Sequence, residues 1–570
     1  MGVPTKPASL IYGVDDVPPR GAMLLLALQH VSVMSVGWIF VVVLVTAIGG
    51  TRAESGNVIR MSMIASGIAT ILQARVGGLV GSGYLCPFSC GPSYLAASIL
   101  AGKAGGFPLI FGLTTVSGIF EGLFSRVVKR LRPLLPPEVT GLIVAMVGIE
   151  LIALGCTRFL GYTVPGAPPD PRVVTVALVT LVAMVAPTVF GKGRIRLYPV
   201  VIGLLVGYGA AFALGLLAPG QLHGVLDGPI VGLPHRIPGG MAFDLALLGP
   251  FLIASLSSVL KTVGDLTLCQ KVNDSEWKRT EMKSVSGGIL AGSVGSTLAG
   301  LLGGVGQSTF SSNVGLSIAT GATSRAVALP AGLLLIALAF LPTLAAVFAE
   351  MPAPVIGAML VYVACFMILG GFQVVTSRML DARRTFVVGI AFIFGLSVKI
   401  VPDAYAQVPL VLRPFFTSSL SLATVLVVLL NLLFRIGVSR KATLSLAPGA
   451  DSHARISEFL ERQGGMWGMR PEVVVRANEG LHELVVSIGR ANVDPAIAVE
   501  ARFDEFNLDL DVTWKGDMVA LSDSAPTAES LRLKPESFLK LSGFLIRHYT
   551  DRVTTEQRGG RCRAVLHFDH

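Results

Sequence analysis

Charged residues are scarce in this chain of 570 residues, in which Asp, Glu, Lys and Arg together make up 14%. A soluble globular protein carries about 25%, whereas 52% of this sequence is hydrophobic and its mean hydropathy is +0.71. The shortage of charge excludes an ordinary soluble protein and indicates a polytopic membrane protein. The formal net charge of +10 would favour nucleic acid as a partner of a soluble chain, but the membrane explains it better, so we expect no nucleic-acid partner.

Cysteine is also scarce, and its spacing is informative. The six cysteines form no Cys-x-x-Cys pair and show no His/Cys spacing typical of metal ligands. The sequence therefore predicts neither a disulfide framework nor a metal site. Most of the cysteines lie in apolar runs, where we expect them to be buried as small side chains.

Long apolar runs, by contrast, are abundant. Runs of about 20 residues, the length that crosses a lipid bilayer, recur from near Gly21 to near Phe434. The first run follows a polar leader at 1–20 and is longer than the core of a signal peptide, so we expect it to stay in the membrane. The pattern predicts an all-α membrane region at 21–440 with fourteen transmembrane helices, at 21–46, 58–76, 90–104, 107–125, 138–156, 172–190, 197–217, 244–269, 284–302, 312–322, 326–348, 353–372, 385–401 and 415–434.

The distribution of Lys and Arg predicts the orientation. If the N-terminus is cytoplasmic, the loops after even-numbered helices are cytoplasmic too, and they hold most of the basic residues, as the positive-inside rule requires. An error of one helix in this count would place every later loop on the opposite side of the membrane, so the distribution of basic residues supports the count. We therefore expect a protein of a plasma membrane, such as the bacterial inner membrane, with both termini in the cytoplasm. The basic residues of these loops are Arg126, Lys129, Arg130, Arg132, Lys192, Arg194, Arg196, Lys271, Lys278, Arg279, Lys283, Arg378, Arg383, Arg384, Arg435, Arg440 and Lys441.

Two segments, 80–95 and 303–319, interrupt the apolar pattern. Both are rich in Gly and Ser, and each leads into a run too short to span a bilayer. They are the third element of each predicted seven-helix half, and paired interruptions of this kind indicate an inverted-repeat transporter whose half-helix N-termini meet near the midplane. Because seven is odd, the second half runs inverted, which gives a 7+7 arrangement. The alternative is a pair of kinked or re-entrant helices that bind nothing.

Four motifs resemble the nucleobase–ascorbate transporter family, which contains uracil, xanthine and urate permeases. They are Gln29-His30, the stretch 106–144, Val-Gly-Asp-Leu-Thr-Leu in the eighth helix and the stretch 312–321. The resemblance covers about residues 10–440. The family signature in the tenth element is Gln/Glu/Pro, Asn-x-Gly-x-x-x-x-Thr and then Arg/Lys/Gly. This chain departs from the signature only at the first position, which is Ser312. The residues that match the signature are Asn313, Gly315, Thr320 and Gly321.

The resemblance implies a core domain of helices 1–4 and 8–11 that binds substrate and moves against a gate domain of helices 5–7 and 12–14. It also implies a homodimer formed through the gate. The family's eighth helix presents a glutamate to the base and, four residues later, an acid or a histidine. Alignment on Val-Gly-Asp puts Lys261 in place of that glutamate and Asp265 at the second position.

Three interpretations of Lys261 follow, and they do not exclude one another. A spacing of four puts Lys261 and Asp265 on one helix face, so the two can form a buried ion pair. Lys261 can instead support an anionic base such as urate, together with the positive ends of the half-helices. It can also take part in proton coupling, because a desolvated lysine titrates easily.

The remaining candidate residues each have a structural alternative. Ser312 and Asn313 begin the tenth element, where they can bind the base or cap the helix. Phe88 precedes the third element, where the family places an aromatic against the base, although a core role is the usual one for phenylalanine. Supporting roles are expected for the other signature residues and for Gln29 and His30, which can hydrogen-bond between helices. The supporting residues of the signature are Gly315 and Thr320.

From about residue 447 the composition becomes charged and mixed, which predicts a separate soluble domain at 447–570. A helical pattern followed by alternating strands indicates an α+β fold, and the order of elements resembles the histidine-kinase-like ATPase fold of anti-sigma kinases. That family has an acid followed four residues later by asparagine, but this chain has Glu479 and Glu483. We therefore expect a cytoplasmic regulatory or assembly domain without ATP hydrolysis.

The function that the resemblance implies is secondary active transport of a purine or pyrimidine base such as xanthine, urate or uracil, with H⁺ or Na⁺ as a coupling ion. No covalent chemistry is implied, so we expect no enzyme and no other cofactor. Two alternatives remain. One is a transporter of a small anion on the related 7+7 fold, and the other is a non-transporting membrane sensor of a ligand.

Overall fold

The structure is a computed structural model, and it describes residues 6–569 apart from 9, 132–135, 163–168, 192–194, 196–197, 218–228, 276, 278–279, 377–379, 410–415, 417, 435–439, 447–450, 492–495, 505–506, 520, 523–535 and 559. Several basic residues on which the predicted orientation rests lie outside the described residues, namely Arg132, Lys192, Arg194, Arg196, Lys278, Arg279, Arg378 and Arg435.

The chain divides into two compact units. The first comprises Met1–Val374 and Ile390–Val428, and the second comprises Val375–Gly389 and Leu429–His570. The apolar part of the chain, up to residue 433, is helical. Its helices are α1 (Arg20–Met34), α2 (Val36–Ala47), α3 (Arg52–Gln73), α4 (Leu95–Leu131), α5 (Pro137–Leu160), α6 (Pro171–Phe190), α7 (Pro199–Ala213), α8 (Leu245–Asn273), α9 (Met282–Leu302), α10 (Ser311–Thr320), α11 (Ala328–Leu338), α12 (Pro342–Ala349), α13 (Ala353–Val375), α14 (Ala382–Ile400) and α15 (Ser419–Leu433).

Within the described residues, seven helical segments are long and apolar enough to cross a membrane, or eight if the pair Arg325–Leu338 and Pro342–Ala349, bent by 83°, is one span. The prediction of a helical polytopic membrane protein is confirmed. Each of the fourteen predicted segments coincides with helix, but α10 has only 10 residues and α7 and α15 have 15 each. Fourteen crossings in a 7+7 arrangement therefore stay a prediction. The seven segments are Arg20–Ala47, Pro92–Val128, Pro137–Leu160, Pro171–Phe190, Leu245–Asn273, Met282–Leu302 and Ala353–Val375.

Helix α4 consists of two helical parts that meet at a non-helical pair, Gly105 and Gly106. Gly106 has φ = 67°, in the left-handed region that glycine adopts without a steric penalty, and Pro108 follows. This break explains why the hydropathy pattern predicts separate helices at 90–104 and 107–125.

The two interrupted segments pair with each other through a short antiparallel ribbon. Strand β1 (Phe88–Cys90) and strand β2 (Gln307–Thr309) are aligned with Phe88 opposite Thr309 and Cys90 opposite Gln307. All six residues are buried. After β1, a 3₁₀ turn at Pro92–Tyr94 leads into α4, and β2 leads directly into α10. Each of the two interrupted segments therefore contributes a buried strand that is followed by the start of a helix.

The second unit contains a five-stranded antiparallel sheet in the order β3-β4-β5-β7-β6. Alternate side chains of β4 are buried, as expected for a sheet with one face on a core. The sheet begins at Arg440, before residue 447, where the change in composition placed the domain boundary. The elements are β3 (Arg440–Leu446), α16 (Ser452–Trp467), α17 (Pro471–Ala491), β4 (Ile497–Phe503), β5 (Asn507–Lys515), α18 (Glu536–Tyr549), β6 (Arg552–Arg558) and β7 (Arg561–Asp569).

Candidate substrate-binding site

The β1–β2 ribbon is held at close range by hydrogen bonds beyond the strands. Gly91 N–H donates to the carbonyl of Gly306 at 2.9 Å, and Phe310 N–H donates to the carbonyl of Pro87 at 3.0 Å. A Cβ atom at Gly306 would lie 2.5 Å from the ring of Tyr94. Glycine is therefore required at residue 306 for the two segments to approach each other.

Helix α8 brings a buried ion pair to the end of β2. The Lys261 Nζ atom donates to the carbonyl of Thr309 and lies 3.8 Å from Asp265 Oδ2, and the two side chains are 6% and 9% exposed. The Thr309 hydroxyl donates to the same Asp265 oxygen at 2.6 Å. Both charges are thus paired and hydrogen-bonded, which is the condition for burying them. This geometry favours the ion-pair interpretation of Lys261, whose ammonium also lies 5.7 Å from the centre of the Phe310 ring.

Asn313, in the first turn of α10, is fully buried, and among the described residues its amide makes no hydrogen bond of standard geometry. The ring of His30, from α1, lies beside it, is equally buried, and also makes no such bond. Gln29 Oε1 is also buried and makes no hydrogen bond of standard geometry among the described residues. An unsatisfied buried polar group costs about 1–3 kcal/mol, so Asn313 and His30, which are neighbours, need a partner in each other or in a bound molecule.

The capping role that the sequence allows for Ser312 and Asn313 is wrong. Helix α10 begins at Ser311 with Phe310 as its N-cap residue, and no side chain caps it. Ser312 is exposed. The Thr320 hydroxyl donates to the carbonyl of Leu316 at 2.8 Å, so this signature residue bonds within its own helix.

Phe88 lies in β1 opposite Thr309, but its ring is 1% exposed and packs in a small cluster with Ala69 and Ala291. A Cβ atom at Gly292 would lie 2.9 Å from that ring. The structure places Phe88 in the core of the first unit. A contact between this ring and a base stays a prediction.

Two exposed glycines lie close in sequence to Asp265 and Asn313. Gly264 on α8 and Gly315 on α10 are both exposed, and a Cβ atom at either would have no neighbour within 4 Å. Gly264 is next to Asp265 in sequence, and Gly315 lies two residues after Asn313.

Glu121, in the second part of α4, is a further candidate that was not predicted from the sequence. This residue is 2% exposed, and Tyr94 donates its hydroxyl to Glu121 Oε1 at 2.6 Å. The signal was present, because an ionisable residue within a predicted span is a candidate functional group. By contrast, Glu150 accepts from Ser418 Oγ at 2.8 Å and lies 3.3 Å from Lys399 Nζ, which supports a structural role.

A helical membrane protein in which two interrupted segments pair beside a buried ion pair has the architecture of a membrane transporter. A family model described as a permease family matches residues 21–404. A Clostridium perfringens protein named as a candidate purine permease is 31% identical over 424 residues, 74% of this chain and 92% of that protein. The Escherichia coli K12 xanthine permease XanP is 27% identical over 447 residues, 75% of this chain and 96% of XanP. The chain belongs to this permease family, the nucleobase–ascorbate transporters, whose members are transporters rather than enzymes.

A solved structure of the murine anion transporter Slc26a9 in its inward-facing state is similar in fold. The TM-score is 0.50 with 11% sequence identity, and the match covers 77% of this chain and 72% of that chain. At this identity the similarity concerns the fold alone.

Proposed function

We propose that this chain is a secondary active permease that imports a purine or pyrimidine base, such as xanthine, urate or uracil, with an ion as its coupling partner. The observation that carries the proposal is the match to purine and xanthine permeases along 92% and 96% of their length. The buried polar groups at the β1–β2 ribbon, which lie at the positions of the family's signature, support it.

The proposed architecture is fourteen membrane segments in two inverted halves of seven, with the core and gate domains that the family resemblance implies. A homodimer through the gate, cytoplasmic termini and a cytoplasmic regulatory or assembly role for the domain at 447–570 belong to the same proposal. The paired interruptions at β1 and β2 support the two-half arrangement, because each half contributes the same kind of element.

In the proposed site, the base lies in the open space beside Gly264 and Gly315. Asp265 accepts hydrogen bonds from the N–H groups of the base, and the amide of Asn313 donates to and accepts from its ring edge. Lys261 balances the charge of Asp265 inside the protein. Because the pair carries no net charge, the site suits a neutral base better than a small inorganic anion.

Uptake into proteoliposomes tests the function directly. Vesicles that contain the purified chain should accumulate radiolabelled xanthine, urate or uracil above the level of empty vesicles, and an excess of the unlabelled base should compete. Accumulation of sulfate or bicarbonate without any base would identify an anion transporter instead. Binding of a base without uptake would identify a sensor.

Replacement of Asn313 by alanine should weaken binding of the base by about 1–3 kcal/mol, or about 5- to 150-fold in Kd, because it removes a partner of a buried polar group of the ligand. Thermal stability should change little, since the amide makes no standard hydrogen bond within the described protein. Calorimetric titration and thermal unfolding in detergent measure the two effects. Unchanged affinity with lowered stability would show that Asn313 is structural.

A further inference from the structure

Glu121 is a buried carboxyl group among hydroxyl groups. Tyr94 donates to it from the 3₁₀ turn, and the hydroxyls of Ser258 on α8 and Ser296 on α9 are its other hydrogen-bonding neighbours. None of these three side chains carries a cation, and α2, which also packs against α4, contains no charged residue. Lys261 is the first charged residue after Ser258 on α8 and is engaged by Thr309 and Asp265.

A buried carboxylate without a cation is costly, and such a group takes up a proton instead. The other two carboxylates described above differ in this respect. Asp265 has Lys261 at 3.8 Å, and Glu150 has Lys399 at 3.3 Å. The burial of Glu121 thus favours its neutral, protonated form. The hydroxyl groups of Tyr94, Ser258 and Ser296 can nevertheless donate hydrogen bonds to its ionised form.

The two serines also reach strand β2. Ser258 Oγ donates to the carbonyl of Gln307 at 3.3 Å, and Ser296 Oγ donates to the same carbonyl at 3.2 Å. Each hydroxyl has only one proton to donate, so a serine that donates to an ionised Glu121 must release the carbonyl of Gln307, although Ser296 Oγ can still accept from the Gln307 N–H, which lies at 3.2 Å. Gln307 lies two residues before Thr309, which holds Lys261 and Asp265. The protonation state of Glu121 is thereby linked through hydrogen bonds to the strand at the substrate site.

We propose that Glu121 binds the proton that drives transport. It takes a proton from water on the outer side of the membrane and releases it to water on the cytoplasmic side, and its ionisation turns Ser258 and Ser296 away from β2. The inference rests on the proposed function of a base permease and names the coupling ion and its site.

The test uses proteoliposomes with the purified full chain and two modes of xanthine transport. Uptake driven by an imposed pH gradient needs a proton site, whereas exchange of labelled for unlabelled xanthine at equal pH needs no net proton movement. In the wild type, gradient-driven uptake should exceed uptake without a gradient at least tenfold, and a pH dye should report proton entry with the base. Glu121→Gln should lose both the stimulation and the dye signal while exchange persists.

Glu121→Asp, which keeps a titratable carboxyl group, should restore part of the stimulation, and Glu150→Gln, which alters a carboxylate outside this cluster, should keep it. If Glu121→Gln does not fold, Ser258→Ala with Ser296→Ala should reduce the stimulation at least tenfold and leave exchange. Full stimulation in Glu121→Gln or in the double serine variant, equal loss of both modes, or a wild type driven by Na⁺ alone would overturn the role of Glu121. A wild type without exchange would contradict the proposed function itself, and the coupling role with it.

Discussion

Asp265→Ala is expected to abolish uptake of the base and to destabilise the membrane region. The substitution leaves the ammonium of Lys261, whose side chain is 6% exposed, without its carboxylate, and it removes the acceptor of the Thr309 hydroxyl. Loss of one partner of a buried ion pair costs about 3–5 kcal/mol. Uptake into proteoliposomes and thermal unfolding in detergent measure the two effects.

A second variant separates the structural role of the pair from its functional role. Lys261→Met combined with Asp265→Leu replaces both charges by apolar groups of similar volume, an exchange that is often neutral or stabilising. We expect this double variant to regain stability but not uptake. As a control, Glu150→Ala breaks a pair whose lysine is 43% exposed, so it should destabilise the protein less than Asp265→Ala does. Recovery of uptake in the double variant would show that the pair is structural only.

Lys261→Gln is expected to reduce exchange of neutral bases at least tenfold at neutral pH and to restore it partly in acid. Glutamine does not balance the charge of Asp265, whose side chain is 9% exposed, so the carboxylate becomes an unpaired buried charge until it takes up a proton. Protonation removes that charge but also removes an acceptor, which is why the recovery is partial. Exchange of labelled xanthine between pH 5 and 8 measures this dependence without net proton transport.

The pH profile distinguishes the interpretations of Lys261. If Lys261 supports an anionic base instead, Lys261→Gln should lose urate at every pH and keep uracil, with no recovery in acid. Lys261→Glu restores the glutamate that the family resemblance expects, and exchange should begin to recover at a higher pH than in Lys261→Gln, because one proton taken up by the two neighbouring carboxylates already removes their mutual repulsion. If both variants keep the pH profile and the selectivity of the wild type, Lys261 is not part of the binding site.

The helices and segments that form this site can be predicted from the sequence more fully than the contacts between them. Hydropathy predicts the helical segments because the bilayer requires apolar runs of fixed length, and the Gly- and Ser-rich segments 80–95 and 303–319 identify the two elements that form the β1–β2 ribbon. The spacing of Lys261 and Asp265 predicts their pairing because residues four apart share a helix face.

Contacts between distant segments could not be predicted in the same way. The ring of Phe88 packs against Gly292 rather than next to open space, and the two are about two hundred positions apart in the sequence. The hydroxyls that surround Glu121 come from three other elements, so no local pattern reveals them. Strand β3 was missed because its seven residues are of mixed composition, and only pairing with β4 defines them as a strand.

A cryo-electron-microscopy map of the full chain with xanthine bound would locate the base within the protein. We expect density for one planar molecule beside Gly264 and Gly315, within hydrogen-bonding distance of the Asp265 carboxylate and the Asn313 amide, with Lys261 still paired to Asp265. Density for xanthine elsewhere in the protein, or a base that contacts neither Asp265 nor Asn313, would contradict this expectation.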